Sequence, residues 1–145
     1  MSLKLASIVG FLAMVAALVG LIYGHSLLGE SPVPIGVQVL AVALMIWARV
    51  TFGGRSFHAA ANPTEGGVVT SGPYRFLRHP IYAAALYFTW AGVLSHISIL
   101  NLVLGICAIA GVGMRIAAEE KLLLGRYPEY REYADRTRRI IPFVI

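Results

Sequence analysis

The chain has 145 residues, of which 58% are hydrophobic and only 13% charged, and its mean hydropathy is +0.75. That balance excludes an ordinary soluble domain and indicates an integral membrane protein, with length for one bundle of a few spans and none for a separate soluble domain. The formal net charge of +5 does not point to nucleic acid, because the cations flank apolar segments instead of forming a soluble stripe, and anionic lipid headgroups are their expected counter-charge.

The first apolar segment, residues 5–28, runs 24 positions without a charge. It is longer than a signal-peptide core and no clean small-residue cleavage site follows, so it reads as a retained span. The second, residues 33–52, is entered through Pro32 and Pro34 and carries Trp47 and Arg49 near its far end, as interfacial anchors do. A polar loop over residues 53–79 follows, with Asn62-Pro63 and Gly66-Gly67 as turn signals. Pro80 to Met114 is a run of 35 residues with no formal charge. As one helix it would be about 50 Å long against a hydrocarbon core of about 30 Å, so it must fold back. The turn is expected at Ser95-His96-Ile97-Ser98, giving short spans over 80–95 and 98–114. Cys107, the single cysteine, lies inside this run, where it can form no intramolecular disulfide and reads as a packing residue. Good helix formers continue from Arg115 to Leu124, so the fourth span should leave the membrane as a helix that Tyr127-Pro128 interrupts. The tail alternates charges and tyrosines as far as Arg139. From Ile140 it turns apolar again, like a segment lying on a membrane. His25, His58 and His96 are isolated, read as interfacial or capping residues, and have no metal-site spacing.

Lysine and arginine are distributed unevenly. The loop between the first two spans holds Glu30 and no Lys or Arg, and the hairpin turn holds no charge, whereas Lys4, Arg49, Arg55, Arg75, Arg78 and the carboxyl-terminal cations fall on the other side. By the positive-inside tendency, both termini and the 53–79 loop are expected in the cytoplasm. The fold class expected is therefore all-α: a polytopic integral membrane protein of about four transmembrane helices, with a tight hairpin over 80–114 and a cytoplasmic carboxyl-terminal helical segment. Residues 1–145 are read as a single membrane-embedded domain.

Two groups of polar residues should meet on the cytoplasmic face. One is Arg78-His79-Pro80-Ile81-Tyr82, where Pro80 opens a helix. The other is Arg115 with Glu119, four residues apart and so on one helical face. Because the hairpin begins at Pro80 and ends at Met114, its two ends are brought together.

Gly72-Pro73-Tyr74, Arg78-His79-Pro80-Ile81-Tyr82, Arg115 with Glu119-Glu120, and Tyr127-Pro128-Glu129-Tyr130 with Tyr133, Arg139 and Pro142 together resemble the isoprenylcysteine carboxyl methyltransferase family and its phospholipid methyltransferase relatives. The resemblance runs over residues 66–142, in the family's order and spacing. It implies methyl transfer from S-adenosylmethionine to a lipophilic acceptor at the membrane interface, most directly a carboxylate as in isoprenylcysteine O-methylation. It implies a cofactor site in 66–82 and 115–142, with Gly66, Gly67, Val68, Val69, Tyr74, His79, Pro80, Ile81, Tyr82 and Glu119 holding the cofactor and Arg115 facing the acceptor. The chemistry of these residues agrees. Glycines allow close backbone approach, tyrosines offer ring faces, Glu119 accepts from amino or ribose groups, and Arg115 offers a planar fork to a carboxylate. Arg115 and Glu119 are the candidate catalytic pair. The expected partners are membrane lipids and the acceptor, and no metal is expected. Two rival readings remain. One is an NADPH-dependent reductase of a sterol-like lipid, for which Arg75, Arg78 and Arg126 could supply cations. The other is a non-enzymatic membrane subunit that binds a lipid or a partner protein.

Overall fold

The computed structural model describes residues 2–53 and 67–144. Five α-helices follow in chain order: α1 (Leu3–Tyr23), α2 (Pro32–Phe52), α3 (Pro80–Ser95), α4 (Ile99–Arg126) and α5 (Tyr130–Arg136), with a 3-10 turn at Gly72–Arg75. Helices α1, α2 and α4 are long and apolar enough to cross a membrane, and α3 is a shorter apolar helix of 16 residues. At about 1.5 Å per residue α3 is about 24 Å long, somewhat less than a hydrocarbon core.

Local chemistry sets the boundaries. Ser2 caps α1 through its side chain, which accepts from the Leu5 amide. The first span ends at Tyr23 and not at residue 28: amides of Gly24, His25 and Ser26 turn back onto the carbonyls of Gly20, Ile22 and Leu21, and His25 takes a left-handed φ of 52°. The apolar run continues through Leu27 and Leu28, but the backbone has already turned, which composition does not register. α2 starts at paired prolines and stops at Gly53, whose φ is 73°. The hairpin turn falls where it is expected, with Ser98 capping α4 through the Asn101 amide. α4 runs 28 residues to Arg126, about 42 Å, so its last turns continue past the span, and Tyr127 ends it.

The helices run up and down. α1 packs against α4 and α2 against α3. Where α1 crosses α4, Gly10 and Gly111 face each other, and a Cβ built on either would come within 2.5 Å of the other's carbonyl oxygen. Ala17 of α1, Leu86 of α3, and Ala108, Val112 and Ile116 of α4 form the shared core, and Ile140 of the tail packs onto it. At the far end the 24–31 loop is clasped to the bundle: Gln38 donates to the carbonyls of Leu27 and Phe88 and accepts from the Gly29 amide. Cys107 is exposed, on the side of α4 away from its partners, which corrects its reading as a packing residue.

Candidate functional site

The site forms where the hairpin opens. His79 stands just before α3 and Tyr82 lies in its first turn, while Arg115, Glu119 and Glu120 lie on α4 as it leaves the core. Arg115 Nε donates to the Tyr82 hydroxyl at 2.7 Å. The Tyr82 hydroxyl donates in turn to Glu119 Oε1, and Arg115 Nη2 reaches that same oxygen at 3.3 Å. Arginine, tyrosine and glutamate thus close a ring of charge-assisted contacts, which are the stronger class of hydrogen bond. The guanidinium lies over the rings of Phe11 and Tyr82 at 5.3 and 5.5 Å. Arg115 as a whole is 5% exposed, so this cation is enclosed, and α1 supplies part of the cover.

His79 lies between two carboxylates. Its Nδ1 is 3.7 Å from Glu119 and its Nε2 3.3 Å from Glu120, and its ring stacks on Tyr82 at 5.8 Å. Glu120 is the hub of a second cluster, with Arg78 Nε at 3.0 Å and Arg139 Nη2 at 2.9 Å. The two adjacent glutamates therefore have different neighbours: Glu119 closes the ring inside the hairpin, and Glu120 ties the hairpin to the tail.

The tail is fixed over the site by backbone pairing. The Arg78 and His79 amides donate to the carbonyls of Arg138 and Arg139 at 2.6 and 3.1 Å, and the Arg138 amide donates to the Phe76 carbonyl at 3.1 Å. Arg78 Nη1 also donates to the carbonyls of Ala134 and Thr137. From α5, the Tyr133 hydroxyl donates to the Tyr74 carbonyl at 2.8 Å. Burial pushes the Tyr133 hydroxyl's pKa up against the opposing pull of Arg78, which keeps this donor protonated at neutral pH.

The other sequence candidates are placed as follows. Gly66 lies outside the described residues. Gly67 has a φ of 82° with open space at its Cβ position, and Val68 and Val69 are half-buried in irregular backbone. Tyr74 is 5% exposed, with its ring tilted by 40° against Phe52 at 5.5 Å. Pro80 is buried and Ile81 half-buried at the start of α3. His25 and His96 both lie at the far end. His25 is exposed in the 24–31 loop, His96 Nε2 bonds the Leu28 carbonyl at 2.9 Å, and His58 lies outside the described residues. Sequence reasoning placed Glu120 and Arg139 in the motif but did not find that they pair. The available signal was the paired glutamates, since neighbours on a helix point about 100° apart and must meet different partners. Among the described residues no group of three or more His, Cys, Asp or Glu is placed to hold a metal ion.

Chemically, the arrangement offers a partly open carboxylate, Glu119, whose side chain is 23% exposed, beside stacked rings and an enclosed guanidinium. It has acceptors for amino or hydroxyl groups and positive charge for an anion. A profile of the isoprenylcysteine carboxyl methyltransferase family matches residues 34–125, which includes both arms of the hairpin and the Arg115, Glu119 and Glu120 positions. The chain is 30% identical over 133 residues to the cobalt-zinc-cadmium resistance protein CzcN of Cupriavidus metallidurans, an alignment covering 86% of this chain and 58% of the relative. It is 29% identical to the nickel-cobalt-cadmium resistance protein NccN of Alcaligenes xylosoxydans xylosoxydans, covering 86% of this chain and 59% of that protein. The chain thus spans 58–59% of the length of these curated relatives. No solved structure matches it significantly.

Proposed function

The chain belongs to the isoprenylcysteine carboxyl methyltransferase family, and from that premise we propose that it transfers a methyl group from S-adenosylmethionine to a lipophilic carboxylic acid at the membrane interface. The observation that carries this reading is the closed ring of Arg115, Tyr82 and Glu119 at the mouth of the hairpin. Arg115 lies one helical turn nearer the middle of the bundle than Glu119, about 6 Å along the axis. A water-soluble cofactor arriving from the open end meets Glu119 first, and a lipid headgroup arriving from the bilayer meets the positive charge of Arg115.

The residues present fit the cofactor. Glu119 accepts from its ammonium or ribose hydroxyls, the His79 and Tyr82 rings offer faces to a sulfonium or adenine, and Gly67 allows close backbone approach. Bound there, S-adenosylmethionine would supply a methyl carbon on a sulfonium, and its transfer to a carboxylate oxygen would leave a neutral thioether and require no proton removal. The acceptor is ionised at neutral pH, so the protein must align it rather than deprotonate it. Arg115 and Tyr82 do that alignment, and no strong base is required of the site.

Isothermal titration of the detergent-purified protein is the test. S-adenosylmethionine should bind with a micromolar constant and NADPH should not. Binding of NADPH alone would support a reductase, and binding of neither a non-enzymatic subunit; each result overturns the methyltransferase reading.

A part in metal resistance reaches this chain only through its relatives' names. If it is shared, the link we propose is the methylated lipid. Glu119 and Glu120 are already engaged by the guanidinium groups of Arg78, Arg115 and Arg139, a setting that disfavours a second cation. Equimolar zinc or cobalt should therefore leave S-adenosylmethionine affinity unchanged, and competition between metal and cofactor would refute that link.

A further inference from the structure

Residues 140–144 form a tight turn that carries its apolar side chains outward. The Val144 amide donates to the Ile141 carbonyl at 3.2 Å, and Phe143 takes a left-handed φ of 66°. For a bulky residue that backbone conformation is strained. The Phe143 residue is 88% exposed, and Ile141 and Val144 are exposed beside it, so packing within the chain does little to offset the strain. Surrounding these side chains with acyl chains would offset it, by taking their apolar area out of water.

The tail reaches this turn by running from the site toward the apolar layer. Its pairing with residues 76–79 is parallel, with Leu77 opposite Arg138, so both segments head the same way, and the first of them continues into α3. The tail then follows α3. The Tyr87 hydroxyl donates to the Ile140 carbonyl at 2.5 Å, and the Ile140 side chain packs against the core that includes Leu86 and Ile116. Tyr87 lies seven residues beyond Pro80, about 10 Å along the helix axis. The turn therefore stands beside the apolar part of the hairpin and not above it. Its backbone suits that place: Tyr87 takes up the Ile140 carbonyl, Val144 the Ile141 carbonyl, and Pro142 has no amide to satisfy. Charge complements this arrangement. Arg136, Arg138 and Arg139 directly precede the turn, and residues 136–144 hold no acid, a cationic collar followed by an apolar tip, as anionic headgroups over acyl chains require.

We infer that residues 140–144 are a membrane-inserted anchor, with acyl chains around Ile141, Phe143 and Val144 and anionic headgroups at Arg136 and Arg138, and that this anchor holds the tail across the site. Arg139, between collar and anchor, pairs with Glu120, and the carbonyls of Arg138 and Arg139 take the Arg78 and His79 amides. The bilayer thus helps to keep the tail in place, whichever ligand the site takes.

Insertion is tested with Val144→Cys in a Cys107→Ser background, carrying a polarity-sensitive fluorophore, in the full-length chain reconstituted into equimolar phosphatidylglycerol and phosphatidylcholine. Its emission should lie to the blue of the same label at Arg131→Cys, an exposed position on α5, and acyl-chain spin labels should quench it by about half. A label at 144 as wet and as unquenched as that at 131 overturns the anchor. A blue shift that appears only at high protein-to-lipid ratio, without acyl-chain quenching, assigns the patch to a second copy of the chain and overturns it as well. The hold on the tail is read by amide hydrogen exchange. Phe143→Ser should speed exchange at Arg78 and His79 by about tenfold while amides within α4 keep their protection. Unchanged exchange at 78 and 79 overturns the holding role even where the label at 144 is quenched. Vesicles of phosphatidylcholine alone should speed exchange at the same two amides of the wild type by about threefold, and equal exchange in both lipids overturns the headgroup contact.

Discussion

Arg115 is enclosed by side chains from three helices: Phe11 of α1, Tyr82 of α3 and Glu119 of α4. Removing one member of a buried, hydrogen-bonded charge pair leaves the other uncompensated, at a cost of about 3–5 kcal/mol. Arg115→Ala should lose stability at the lower end of that range, since Glu119 keeps some access to water. Arg115→Ala with Glu119→Ala should cost clearly less than the two single changes added together, as a thermal-unfolding double-mutant cycle would show. Strict additivity would mean that the ring of contacts does not couple the two residues. Arg139 contrasts with Arg115: its side chain is 54% exposed, so solvent screens its pairing with Glu120 and Arg139→Ala should change stability by about 1 kcal/mol or less. The Arg115–Glu119 pair was legible in the sequence from its four-residue spacing. The Tyr82 hydroxyl between them was not, because its position depends on how far α3 is shifted along α4.

At the level of elements, the α1–α4 crossing sets how closely α1 covers Arg115. Gly10 and Gly111 let the two backbones approach until each carbonyl occupies the space of the other's missing Cβ. The same approach brings Ser7 and Phe11 over Arg115. Gly111→Ala must push the helices apart, and overpacking of this kind costs about 1–3 kcal/mol. It should lower turnover too, because the cover on Arg115 moves with α1. Gly113→Ala is the control: nothing lies within 4 Å of its would-be Cβ, so the change should be neutral or slightly stabilising, as helix propensity predicts. Thermal unfolding of both variants in detergent, with turnover measured alongside, checks the pair. Equal behaviour would mean that the crossing does not position the site. Which helix these glycines contact is decided by the folded bundle and not by their identity.

For the whole molecule, the described lysines and arginines gather at one end, where α1 begins, α2 finishes, α3 begins and α4 emerges. Glu30, His25 and His96 lie at the other. From the positive-inside tendency we propose that this end, and the site with it, faces the cytoplasm. Single cysteines introduced at Ser98 and Ser2, in a Cys107→Ser background, report this with a membrane-impermeant maleimide on intact cells. Residue 98 should label and residue 2 should not, and the reverse pattern would overturn the orientation.

Sequence alone determined the class of protein, the number of apolar segments, the hairpin with its turn, and the family. Each of these follows from local composition, from spacing within a few residues, or from a motif read along the chain. It placed the end of the first span five residues late, because Leu27 and Leu28 are apolar whether or not the backbone has turned at Gly24. Only the tertiary structure decided how the other polar groups pair: Glu119 with Tyr82, Glu120 with Arg78, His79 and Arg139, and the tail with the backbone of 76–79. Those pairings join residues up to 62 positions apart. They are fixed by the register of packed helices and by backbone hydrogen bonds, neither of which a residue's own identity specifies.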